Sequence, residues 1–158
     1  MGGSPPNGNG RRRLLLIRVV LTLLTLSHFF SLHAAKAQEG SETAEILFAR
    51  AIIAYEEGKY AAAIADLIKA HAADPLNVDV IYYLGLSYNA REEFAQAAPI
   101  LRKGLALEPK NHDIRYQLGV SLYGTNNYDA ALEELLAIYR EEPQRENLGY
   151  YIGLAYYQ

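Results

Sequence analysis

The sequence predicts an all-α protein, a solenoid of stacked helical hairpins, on the strength of two observations. A 34-residue register runs through the chain. Gly85, Ala97 and Pro109 recur one period earlier as Ala51, Ala63 and Pro75 and one period later as Gly119, Ala131 and Pro143, and Gly153 begins a further copy. Tandem units of this length bury their apolar faces only by stacking on their neighbours. Within each unit the apolar residues fall in two blocks at helical spacing, divided by a polar pair. No cysteine occurs in the 158 residues, which excludes a disulfide framework, thiol chemistry and attachment through a lipidated cysteine.

Taken in order, residues 1–10, MGGSPPNGNG, are too poor in apolar side chains to build a core and are expected to be disordered. Arg11, Arg12 and Arg13 precede an apolar run from Leu14 to Leu32, interrupted by Arg18, and small residues follow at Ala35 and Ala37. A basic start, an apolar segment and an A-x-A site make residues 1–37 a secretory signal peptide, cut after Ala37. The protein is then periplasmic or secreted. The competing reading is an uncleaved membrane anchor, because the run approaches the roughly 20 residues of a span. Arg18, Ser27 and His28 weaken that reading. Membrane contact is expected through this segment only. Residues 38–43, QEGSET, form a short polar linker. Ser41, Glu42 and Glu45 suit the start of a helix, where acceptors and negative charge are favoured.

Three complete units are expected at 44–77, 78–111 and 112–145, followed by the first helix of an incomplete fourth at 146–158. In the second, Ile81, Leu84, Gly85 and Tyr88 mark one helix and Phe94, Ala97, Leu101 and Leu105 the next. Glu92-Glu93 is the turn between them, as are Glu57-Gly58-Lys59 and Asn126-Asn127 in the flanking units. Pro75, Pro109 and Pro143 close the second helices. Ala or Gly at 51, 85, 119 and 153, with Ala63, Ala97 and Ala131, allows close approach within a pair. Pro99 falls early in a second helix, where it should remove a backbone bond or displace the helix start. In the last helix Ile152 and Tyr156 are left without a second helix to pack on. The chain is therefore expected to continue past Gln158, or to have this face covered by another chain.

The period, the small residue in the first helix, the aromatic after the turn (Tyr60, Phe94, Tyr128), the central alanine and the closing proline resemble the tetratricopeptide repeat family over residues 44–158. The resemblance implies a right-handed α-solenoid. Two departures stand out. The usual aromatic early in each first helix is replaced by Leu47, Ile81, Arg115 and Gly149, and Arg50 stands where Leu84, Leu118 and Ile152 stand.

No catalytic constellation is visible. Beyond Ala37, His71 and His112 are the only histidines, each without a ligand-spaced partner, and no glycine-rich phosphate loop occurs. No enzyme activity, metal or cofactor is expected. From Gln38 onward there are 10 basic and 18 acidic residues, a net of −8, which argues against nucleic acid. All thirteen tyrosines lie in that part. Phe48, Tyr82, Tyr116 and Tyr150 are one period apart, as are Ile52, Leu86, Val120 and Leu154, and Tyr55, Asn89, Tyr123 and Tyr157. Within a helix they stand at i, i+4 and i+7, on one face. The family resemblance implies that this face lines a concave groove where extended peptides bind. The expected function is an exported scaffold holding a protein or peptide partner there, with Glu45, Asp79 and Asp113 adding negative charge at one rim. The groove lacks the Lys, Arg and Asn with which chaperone-tail-binding relatives clamp a terminal carboxylate. Phe48, Ile52, Tyr83 and Asp113 take those places. Two alternatives are a glycan stacked on the rings, and an N-terminal module of a larger cell-envelope protein for the outer membrane or polysaccharide export. Plain packing of the rings between repeats weighs equally against groove binding.

Overall fold

The computed structural model describes residues 43–158, and the expected signal peptide lies outside them. Seven helices follow one another, and no strand occurs among the described residues: α1 (43–56), α2 (Tyr60–Ala73), α3 (Val78–Ala90), α4 (Phe94–Leu107), α5 (His112–Gly124), α6 (Tyr128–Tyr139) and α7 (Leu148–Tyr157). The fold is an all-α solenoid of three hairpins and a final helix.

Each hairpin turn is built the same way. Gly58, Glu92 and Asn126, one period apart, have φ of 74°, 59° and 62°. In the first turn Gly58 N–H bonds the Tyr55 carbonyl at 2.9 Å and Lys59 N–H the Ala54 carbonyl at 2.8 Å. Glu92 and Glu93, then Asn126 and Asn127, repeat that double bond. This left-handed closure satisfies carbonyls that the helix end would leave without donors. Glu92 adopts it without glycine's freedom or asparagine's tolerance.

Packing within a hairpin follows from the small residues. A Cβ added at Gly85 would lie 2.4 Å from Leu101 Cδ2, and one at Gly119 would lie 2.7 Å from Leu135 Cδ2. Leu67, Leu101 and Leu135 are fully buried at equivalent places on the second helices. Burial of each is worth about 1.5–3 kcal/mol. At Gly153 an added Cβ meets nothing within 4 Å, because no second helix stands opposite. Ile152 nevertheless packs on the cluster of Leu135, Ile138 and Leu148, while Tyr156 is 67% exposed.

The two arginines that depart from the repeat pattern each find an acid on the second helix of their own hairpin. Arg50 bonds Asp66 through Nε and Nη2, both at 2.5 Å, and Arg115 bonds Glu134 at 2.6 Å. The bonds from Arg50 hold the Asp66 carboxyl below its usual range. Pro99 does not displace its helix: α4 has the 14 residues of α2 and starts one period after it. The donor lost is the one that would have served the Ala95 carbonyl. Ala95 and Pro99 are both exposed, so the site of the lost bond lies on the solvent side of the helix.

Candidate functional site

First helices meet across hairpins, α3 with α5 and α5 with α7, whereas the backbones of α2, α4 and α6 do not come together. Between α2 and α4, Lys103 Nζ reaches His71 Nε2 at 3.4 Å. The first helices therefore lie on the inner side of the stack, and their exposed faces form one continuous surface.

Most of the residues expected to line it are half-buried: Phe48, Ile52, Tyr55, Tyr82, Leu86, Tyr116, Tyr123 and Leu154. Tyr150 and Tyr157, both on α7, are 63% and 88% exposed. Asn89 and Val120 are instead buried, so neither presents a side chain to a ligand.

The rings do not form a simple ladder. At the junction of the first and second hairpins Tyr83 meets Phe48 at 5.6 Å and Tyr55 at 5.9 Å between centroids, both edge-on. Tyr151 repeats this at the last junction, meeting Tyr116 and Tyr123 at 6.0 Å each. Tyr60 and Tyr128 extend each trio through Tyr55 and Tyr123. The trio recurs every two units, with 48, 55 and 83 answered by 116, 123 and 151. The middle junction has Tyr82, Asn89 and Gln117 at those places. There the Asn89 amide donates to the Gln117 backbone oxygen and to Gln117 Oε1, both at 3.0 Å, and accepts from Ser121 Oγ at 2.6 Å.

Burial raises the Tyr55, Tyr82, Tyr116 and Tyr151 hydroxyls above the usual phenol value, with smaller contributions from neighbouring tyrosines or acids. They stay neutral at physiological pH and act through apolar faces and hydroxyls. Tyr83 and Tyr151 are taken up by these contacts and also meet Tyr82 and Tyr150 edge-on at 5.4 Å each, and Tyr82 packs on the cluster of Leu118 and Leu122. The surface left for a partner is therefore the part-exposed side of Phe48 and Tyr82, with Tyr150, Tyr157 and the part-exposed aliphatic residues between them.

Arg145 completes the face at its far end. Its guanidinium lies 5.4 Å from the centre of the Tyr116 ring, pairs with Asp113 and bonds Glu142 at 3.1 Å. Burial opposes its charge, but the bonds to Asp113 and Glu142 outweigh that and raise its pKa. Sequence reasoning set Tyr83 at a clamp place without its ring contacts, and missed Gln117, Tyr151 and Arg145. The signal for the tyrosines was a period of two units rather than one. The signal for Arg145 was the loss of an asparagine present at 77 and 111. Among the described residues no three His, Asp or Glu side chains converge as metal ligands.

The sequence pattern of the tetratricopeptide repeat matches residues 32–78 and again residues 88–149, the first match beginning ahead of Ala37. No curated protein matches the chain. Among solved structures, the Arabidopsis OM64 TPR domain superposes with a TM-score of 0.69 at 16% identity, over 73% of this chain and 96% of that one. The first TPR of Spaghetti (RPAP3), bound to the HSP90 peptide SRMEEVD, gives 0.68 at 20% identity, over 73% and 91%. MamA MSR-1 gives 0.68 at 25% identity, over 73% and 66%. The chain belongs to the tetratricopeptide repeat family.

Proposed function

We propose that this protein is a non-catalytic interaction scaffold whose inner face holds an extended segment of a protein partner. The observation that carries the reading is the surface left on the first helices once the aromatic trios are packed. Tyr82 and Tyr150 flank part-exposed Leu86 and Leu154 there, and exposed aromatic patches of this kind mark interaction sites. The likeness to tetratricopeptide structures solved with peptides supports it at the level of fold. The face differs from one suited to an acidic peptide tail. Arg50, Arg115 and Arg145 are each already paired with an acid of this chain.

Replacing Tyr82 and Tyr150 together by alanine tests the reading. Binding of the partner should weaken at least ten-fold, while the melting temperature falls far less than for Leu84→Ala, since truncating a core leucine costs about 2–5 kcal/mol. Equal loss of stability in the two proteins would make the rings packing residues and end the proposal. Export to the periplasm, with a mature start at Gln38, belongs to the same reading. It is supported by the basic start, the apolar run and Ala35-Lys36-Ala37. N-terminal analysis of the protein from a bacterial host tests it, and an intact chain held in the inner membrane would refute cleavage.

A further inference from the structure

Arg145 stands where the two preceding units have Asn77 and Asn111. Those asparagines cap helices: Asn77 accepts from Val80 N–H at 3.1 Å and Asn111 from Ile114 N–H at 3.0 Å. Arg145 does no such work, and α7 begins after Asn147, which makes no side-chain cap bond. Its guanidinium instead rests over Tyr116 and pairs with Asp113. A carboxylate and a ring three residues apart share one face of a helix. On α5 this pair forms a seat for a guanidinium, and the chain fills the seat itself.

The same pair occurs one period earlier as Asp79 and Tyr82, and two periods earlier as Glu45 and Phe48. The residues that correspond to Arg145 at these seats are Asn111 and Asn77, whose short amides are committed to capping. Glu45 and Asp79 are exposed, and no described lysine or arginine pairs with either. We infer that the Asp79–Tyr82 and Glu45–Phe48 seats receive cationic side chains, arginine above lysine, from an extended segment of the partner. A guanidinium can stack on a ring and pair with a carboxylate at once, as Arg145 does, whereas an ammonium acts as a point charge. The inference rests on the inner face being the binding face and adds the chemistry of its occupant: a basic segment with apolar residues between its cations. An acid in the first turn also suits the helix dipole, so the test reads binding and not stability alone.

The probe is a phage-displayed library of random linear peptides selected on the full chain, followed by affinity measurements on a synthetic copy of an enriched peptide. Arginine should be enriched. Asp79→Asn and Tyr82→Ala should each weaken that peptide by roughly ten-fold, as should replacing its arginines by citrulline. Raised salt should weaken it further. Enriched peptides that lose binding to Tyr82→Ala yet carry no cation and ignore Asp79→Asn would overturn the inference and leave the inner-face reading standing. Binders indifferent to both substitutions, or no enrichment at all, would overturn both. If Tyr82→Ala melts early, Asp79→Asn and Glu45→Gln, at exposed side chains, decide the matter without it.

Discussion

The junction between the first and second hairpins and the junction between the second and third are built from equivalent positions and held by opposite means. The first closes on three rings, Phe48, Tyr55 and Tyr83; the second closes on the Asn89 amide, Gln117 and the Ser121 hydroxyl. An aromatic junction gains from apolar area and edge-to-face contact and tolerates small shifts, since neither is sharply directional. A buried amide network fixes its geometry through bonds that must all be made, because an unmade one leaves a desolvated polar group. The array therefore has two aromatic joints with a polar joint between them. It also shows why repeat positions cannot be swapped freely: each side chain fits the residue one unit away.

The largest effect should come from breaking one joint of each kind. Tyr83→Ala removes a half-buried ring in contact with Phe48, Tyr55 and Tyr82 and should cost about 2–4 kcal/mol. Asn89→Ala removes three hydrogen bonds, but Ser121 keeps its bond to the Gln117 backbone oxygen at 2.8 Å, so the loss should be about 1–2 kcal/mol. Denaturant melts of the two variants check the order. A reversal would mean that the amide network, not the rings, holds the array together.

A smaller effect sharpens the comparison. Ser87 and Ser121 are equivalent and fully buried, but they face different joints. Ser121 Oγ donates to Asn89, whereas Ser87 Oγ has no hydrogen-bond partner, the position that corresponds to Asn89 being Tyr55. At the last, aromatic joint the corresponding residue is Ala155. Ser87→Ala should thus be neutral or stabilising by up to about 1 kcal/mol, while Ser121→Ala should destabilise by about 1 kcal/mol. Two melting curves decide it, and equal effects at the two sites would show that the joints are not distinguished by their polar partners.

The repeat, its period and the helix pairs were legible from the chain because small residues and prolines recur wherever two helices touch or one ends. Gly85 against Leu101 is a contact any reader of the register would expect. The face was only partly legible. The period puts Asn89 with the groove residues, yet its amide is consumed by Gln117 and Ser121. A 34-residue register shows which positions are equivalent. It does not show which residues of adjacent units satisfy one another, and that pairing is what turns Asn89 inward and leaves Tyr82 available. Pro99 follows the first of its two expected outcomes, a lost backbone bond with the helix start in place, and its carbonyl partner Ala95 lies on the exposed side of the helix.

The smallest expected effect concerns the last joint, which adds to its rings a charged latch absent from the first. Glu142 accepts from His112 at 2.7 Å and from Arg145 at 3.1 Å, and these bonds hold its carboxyl below the ordinary glutamate value of 4.5. A carboxylate depressed in the folded state contributes its full stabilisation above the unfolded value and loses it as pH falls through the folded one. The latch should therefore be complete at neutral pH and open progressively in acid below about 4.5. Glu142 is exposed to solvent, so the effect is local: α7, which starts without a side-chain cap, should loosen while α3 keeps its protection. Hydrogen exchange through residues 148–157, compared with 78–90, reads this directly. In Glu142→Gln the bonds lose their charge at every pH. That variant should match the acid-loosened α7 already at neutral pH and converge with the unmodified protein in acid. Identical α7 protection in the two proteins at neutral pH would mean that the Tyr116–Tyr151–Tyr123 trio holds the helix without the latch.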